Sequence, residues 1–391
     1  MTSAIMPTYA PADIAFEYGE GIYLFSPEGK KYVDFSSGIA VNSLGHSHPH
    51  LVQAIQNQAG KVIHYSNLYK ILGQELLAKR LVDNSFASSV FFCNSGAEAV
   101  ECGIKIVRRH HVQNGNPEKT RIITCSGGFH GRTLAALSAA KNEKHTAGFF
   151  PMLDGFDQVS FDNLDQMQNA ITNKTAAILV EPIQGEGGIN NADTNYFKKL
   201  RSMAGEAGIL LFMDEVQTGI GRTGKLFAHE WAKIQPDIMA IAKGLGGGFP
   251  VGACLANEKT TKTMAPGTHG STFGGNPLAS AAANAVLDIV LDDGFLDDVQ
   301  RKGIYLKNQL AFIVAKHKFL GEIRGQGLLV GVVCDDSVVN LDIVKEAEAR
   351  GLLTVPAGNN VIRFIPPLII TETEIDEGLS LFDQACNSFN C

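Results

Sequence analysis

The stretch Pro236-Asp237-Ile238-Met239-Ala240-Ile241-Ala242-Lys243-Gly244-Leu245-Gly246-Gly247-Gly248 decides the reading of this chain. A short apolar run delivers Lys243 to the end of a buried strand, and the glycines after it let other groups approach closely. A desolvated lysine loses part of its preference for the charged form and becomes a nucleophile toward carbonyls. A lysine at a strand end is common by itself. Upstream, however, Ile209-Leu210-Leu211-Phe212-Met213 is a second apolar run, and it ends in Asp214. An amine and an acid at the carboxyl ends of neighbouring strands share one rim of a sheet, where sites in open α/β proteins form.

Working outward, residues 89–93, 121–125 and 176–180 are further apolar runs. They are continuous and not alternating, as expected of parallel strands covered on both faces by helices. A helix is expected over residues 97–111, another from Pro49 with proline in its first turn, and a long Ala-rich one from Pro277 to about Asp292. Near the start, residues 21–25 and 31–35 read as a hairpin around Ser26-Pro27-Glu28-Gly29. Toward the end, strands are expected near residues 328–333 and 361–364. The fold class is therefore α/β, with a mostly parallel sheet in a large domain over residues 48–275. Residues 1–47 and 276–391 are expected to form one smaller, discontinuous α+β domain.

Composition narrows the possibilities. With 45% hydrophobic and 19% charged residues, the chain reads as an ordinary globular protein. A net charge of −7 offers nothing to nucleic acid, and no apolar stretch reaches bilayer length. Residues 1–18 have no basic flank before an apolar core and no Arg-rich character, so neither a secretory signal nor a transit peptide is expected. Seven cysteines in no metal-ligand spacing fit a reducing, cytoplasmic setting, with a Cys386–Cys391 pairing left open. His46, His48 and His50 lack nearby acids or thiols to complete a metal site, so helix-start hydrogen bonding is expected of them.

Three further segments carry chemistry. Asn94-Ser95-Gly96-Ala97-Glu98-Ala99 stands between a strand and a helix, which makes it either a plain N-cap or an anion site at a helix N-terminus. In Gly127-Gly128-Phe129-His130-Gly131-Arg132-Thr133, Phe129 can cover a flat ring and Arg132 can grip a carboxylate, the alternative being a core ring and a surface ion pair. Residues 266–277 hold Ser271 and Thr272 among glycines, suited to phosphate or to a flexible turn. Pyridoxal 5'-phosphate needs a lysine for its aldehyde, an acid for its ring nitrogen and an anion site for its phosphate.

In order along nearly the whole chain, these segments resemble the class III, fold-type I pyridoxal-phosphate aminotransferases. They are joined by Gly45-His46-Ser47-His48-Pro49, Glu181-Pro182-Ile183-Gln184-Gly185-Glu186-Gly187-Gly188, Asp214-Glu215-Val216-Gln217-Thr218-Gly219 and Arg363-Phe364. Residues 38–42 and 66–69 are similar to the branch of that family that acts on acetylornithine. The resemblance implies the cofactor and its ligands: Lys243 as covalent anchor and proton carrier, Asp214 at the ring nitrogen, and Gln217 at the phenolic oxygen. It places Val216 and Phe129 on the two ring faces. Ser95, Gly96 and Ala97 would hold the phosphate, with Thr272 reaching it from a second copy, so a homodimer with a shared site is implied. Arg132 and Ser271 would contact the acyl-amino-acid substrate. Arg363 would hold the α-carboxylate of glutamate or 2-oxoglutarate, and Glu186 would mask Arg363 for the other substrate. Tyr23 resembles a tyrosine that recognises a free α-amine, which keeps ornithine open as a substrate beside acetylornithine and succinyl-diaminopimelate. A metabolite-binding protein on the same fold is the non-enzymatic alternative.

Overall fold

A computed structural model describes residues 4–389. Its centre is a seven-stranded sheet, in spatial order Ser89–Cys93, Gly252–Ala256, Ile238–Ile241, Leu210–Asp214, Thr175–Val180, Arg121–Cys125 and Phe156–Val159. Gly252–Ala256 runs antiparallel to both neighbours, and the other adjacent pairs are parallel. The five expected strands are all present. The two unexpected ones have weak signals for physical reasons. Gly252–Ala256 is built mostly of small residues with little β preference. Phe156–Val159 is an edge strand with a half-buried, polar middle.

The carboxyl edge of this sheet positions the two residues on which the reading turns. Leu210–Asp214 pairs in parallel with Ile238–Ile241, placing Asp214 opposite Ala240, and Lys243 follows three residues later. Lys243 has φ of 46°, in the left-handed region that a side chain with a Cβ rarely occupies. That sharp reversal ends the strand and turns the chain into the glycine-rich loop.

The helix Gly96–Gln113 covers one face of the sheet. Gly103 lets it approach, because a Cβ there would lie 2.2 Å from Cζ of Phe212 on a central strand. Gly103→Ala should therefore lower stability by about 1–2 kcal/mol, overpacking outweighing the gain in helix propensity. Urea unfolding tests this, and a midpoint at or above wild type would contradict the packing.

The two chain ends build a second unit. Tyr18–Glu20, Tyr23–Phe25 and Lys31–Asp34 form a sheet completed by Leu352–Leu353, which pairs in parallel with Lys31–Asp34. The expected strand over residues 21–25 is shorter than foreseen. Gly21, at φ of 56°, and Ile22 instead link an additional tight pair of strands. Beside it, Leu320–Gln326, Leu329–Cys334, Val361–Phe364 and Val355–Ala357 form an antiparallel sheet. Ile22, Val33 and Phe35 share one apolar core with Leu306, Val330, Ile362 and Phe382. The helix Pro277–Val290 instead buries Ala282, Ala283 and Val286 in the core of the large sheet. We propose that the boundary between the units follows this helix, downstream of the expected cut at residue 276.

His46 bonds Asp34 and His50 bonds Asp288, each at 2.8 Å. His48 stands at the N-cap position of the helix Pro49–Ala59, but its side chain makes no capping bond and its Nδ1 has no partner among the described residues, so the expected helix-start hydrogen bond is not formed there. Cys386 is a buried free thiol, as are the other five described cysteines, and Cys391 lies outside the described residues. No helix among the described residues is long and apolar enough to cross a membrane.

Candidate active site

A cavity of about 430 Å³ opens at the carboxyl edge of the large sheet. It collects Asp214 from the end of one central strand, Val216, Gln217 and Lys243 from the segments that follow the central strands, and Ser95, Gly96 and Ala97 from the helix start. Phe129, Arg132 and Glu186 complete the set of expected site residues on its wall.

Ser95 is the N-cap of Gly96–Gln113, its Oγ accepting from the Glu98 N–H, so the plain capping role is real. The cap occupies only that one donor. Gly96 and Ala97 begin the first turn, where unpaired N–H groups and the helix dipole favour an anion. Gly96 also permits Val216 to sit close by, since a Cβ at position 96 would lie 2.6 Å from Val216 Cγ1.

At the other end, buried Asp214 accepts from the Val216 N–H at 3.1 Å and pairs with His130 Nδ1 at 2.8 Å. Burial disfavours a charged His130, but the hydrogen bond and charge of Asp214, with Glu181 behind them, outweigh it and raise its pKa above the ordinary imidazole value. Glu181 is itself buried and accepts from the Phe129 N–H at 2.8 Å. Burial raises its pKa, against the attraction of His130. Neither His130 nor Glu181 was singled out from sequence. Glu181 follows the apolar run Thr175–Val180 as Asp214 ends its own, so the same signal was available for it.

Lys243 is partly buried on the cavity wall. Burial pulls its pKa down and Arg363 pushes the same way, while Glu186, Asp214 and Glu181 oppose. The direction favours a neutral, nucleophilic amine.

Arg363 is 1% exposed and lies behind Glu186. Its Nη1 and Nη2 donate to Glu186 Oε1 and Oε2 at 2.7 and 3.0 Å, a bidentate pair. Nη1 also reaches Gln217 Oε1 at 3.3 Å, and Nε has no partner among the described residues. Burial alone would raise the Glu186 pKa, but the charge and hydrogen bonds of Arg363 hold it below the usual carboxylate range.

Arg132 is exposed and stacks over Phe129, 5.5 Å from the ring centroid. It pairs with no carboxylate among the described residues, which removes the surface ion-pair alternative. Ser271 and Thr272 lie apart from this cavity. Ser271 lines a neighbouring cleft, where Asn94 Nδ2 approaches its Oγ at 3.3 Å, and Thr272 is exposed.

Tyr23 requires a correction. Its hydroxyl donates to Glu377 at 2.8 Å, Lys31 Nζ stands 4.3 Å from its ring centroid, and its side chain packs on the second core. It is a strand residue tied to the C-terminal helix and does not reach the cavity.

An amine, a buried acid, a helix N-terminus and two apolar side chains around one cavity fit a flat, phosphorylated heteroaromatic aldehyde. The donor set offers each part of such a molecule a complementary group.

Comparison with known proteins agrees. The family model described as "Aminotransferase class-III" matches residues 5–386. Acetylornithine aminotransferase of Mesorhizobium japonicum is 56% identical over 379 residues, covering 97% of this chain and 94% of that protein. Among solved structures, ornithine aminotransferase from Toxoplasma gondii has a TM-score of 0.95 at 31% identity, covering 99% of this chain and 93% of that one. N-acetylornithine aminotransferase from Stenotrophomonas maltophilia has a TM-score of 0.86 at 38% identity, with 97% of each chain covered.

Proposed function

Because the chain belongs to the class-III aminotransferases, we propose that it transfers the terminal amine of N2-acetylornithine to 2-oxoglutarate. The products are N-acetylglutamate 5-semialdehyde and glutamate, made in two alternating half-reactions on the route to arginine. The enzyme depends on pyridoxal 5'-phosphate. When bound, that group supplies an aldehyde for the substrate amine and a ring that draws electrons from the adjacent carbon.

The chain's own residues do the rest. Lys243, its amine biased toward neutrality, anchors the cofactor and carries the proton from the amine-bearing carbon. Asp214, backed by His130, keeps a positive ring nitrogen paired. Gln217 bonds the phenolic oxygen, Val216 and Phe129 exclude water from the two faces, and Ser95, Gly96 and Ala97 hold the phosphate. Arg132 takes the substrate carboxylate, with Ser271 beside the acyl group. Ser271 and Thr272 serve the cavity of a second copy, a role supported by their place on an exposed loop. Leu68, Tyr69, Leu72 and Phe273, all more than half exposed, give such a homodimer an apolar face. We place the dimer in the cytoplasm.

The observation that carries the reading is the Glu186–Arg363 pair. Glutamate brings a carboxylate beside its reacting amine, and acetylornithine brings none there. With Glu186 withdrawn, Arg363 meets the first; with Glu186 in place, its charge is neutralised for the second. Glu186→Ala should shift the preference toward glutamate by about ten- to a hundredfold, the size of a charge-assisted bond. Single-turnover half-reactions measure this, and an unchanged preference would remove the switch.

The substrate itself is tested by comparing kcat/KM for acetylornithine, ornithine, succinyl-diaminopimelate and 4-aminobutyrate. Acetylornithine should lead, and an ornithine preference would overturn the proposal. The hydrogen bond of Tyr23 to Glu377 supports acetylornithine over a substrate with a free α-amine.

A further inference from the structure

His145 lies on the short helix Glu143–Thr146, outside every segment from which the site was read. Its Nε2 stands 3.2 Å from Arg132 Nη2. A guanidinium only donates, so Nε2 is the acceptor and the ring is neutral, with its proton on Nδ1. The imidazole also meets Phe129 edge-on, at 6.0 Å between centroids and 88° between planes. Arg132 lies over the same phenyl ring. Phe129, His145 and Arg132 thus contact one another as a closed set, with Phe129 and Arg132 on the cavity wall.

This matters because Arg132 is exposed. A long cationic side chain loses much rotamer freedom when a ligand fixes it, and that loss weakens binding. A neighbour that orders the guanidinium beforehand lowers the loss. Accepting one of its five N–H groups still leaves donors for a carboxylate.

We propose that His145 is a positioning residue for carboxylate recognition, holding the Arg132 guanidinium by one N–H so that its remaining donors are ready for the substrate. The inference rests on the reading of Arg132 as the carboxylate ligand. The charged groups facing the imidazole are Arg132, Lys144 and Glu186. Burial lowers its pKa, Arg132 and Lys144 add to this, and Glu186 opposes, so the acceptor persists at neutral pH and is lost only in acid.

The test uses the holoenzyme and N2-acetylnorvaline, which keeps the carboxylate and acyl group but has no terminal amine to react. His145→Phe keeps the ring contact with Phe129 and loses the acceptor, whereas His145→Gln keeps an acceptor oxygen. The Phe variant should raise the Kd about tenfold, as loss of a bond to a charged group predicts. It should raise KM for acetylornithine similarly while kcat stays within about twofold. N-acetylputrescine, which lacks the carboxylate, should show an unchanged KM. The Gln variant should bind nearly as wild type. Wild-type binding should weaken in acid, below the ordinary imidazole range, and that limb should vanish in the Gln variant. A Phe variant with wild-type Kd, or one that harms acetylputrescine equally, overturns the proposal. Arg132→Ala separates the two readings. If it leaves acetylnorvaline binding unchanged, Arg132 is not the carboxylate ligand; if it weakens binding and the Phe variant does not, only the role of His145 falls.

Discussion

Lys243→Ala is expected to lower turnover about 10⁴-fold or more, because the residue is proposed both to anchor the cofactor and to move a proton. The structure gives the reasons for so large an effect. The amine is delivered by the strand Ile238–Ile241 to the cavity wall, and burial lowers its pKa. No other lysine lines that cavity among the described residues. Borohydride reduction of the wild-type holoenzyme should fix the cofactor to the peptide bearing position 243, and the variant should release its cofactor on denaturation. Trapping at another lysine, or turnover within tenfold of wild type, would reject the assignment.

Asp214→Asn should cost about 10³ in kcat, since it removes a buried charge without removing volume. Asp214 is at the end of a fully buried strand and is held by His130 and the Val216 N–H. The amide can keep these contacts in shape but cannot balance a positive ring nitrogen. The variant also carries an internal check. Asp214 is the main influence raising the His130 pKa against burial, so its loss should move that pKa downward. Imidazole NMR across pH measures this directly. A His130 pKa that stays put would mean the pair is not coupled as the geometry implies, and a near-normal kcat would mean Asp214 has no part in the chemistry.

Much of this was legible in the chain because Lys243 and Asp214 both end apolar runs. Buried parallel strands need continuous hydrophobicity, so their ends mark the sheet rim without any knowledge of the partner strands. Ser95 and the following helix were legible for a local reason too, the preference of hydroxyls for N-caps. What stayed hidden depends on distant pairing. Nothing near Gly252–Ala256 announces that it runs against its neighbours. The His130–Asp214 contact joins residues 84 apart, and its chemistry follows from burial that neither segment reveals alone. Tyr23 misled because a strand residue can point to either side, and Glu377, 354 positions away, decides where its hydroxyl goes.

The parallel pairing of Lys31–Asp34 with Leu352–Leu353 bears on how the chain is made. During synthesis the amino-terminal hairpin leaves the ribosome with one edge unmatched, and its neighbour is translated some three hundred residues later. The large sheet can condense in the meantime, which brings the two distant stretches together and shortens the effective loop left to close. Until then the waiting edge is open to wrong partners, a hazard that chaperones would be expected to cover.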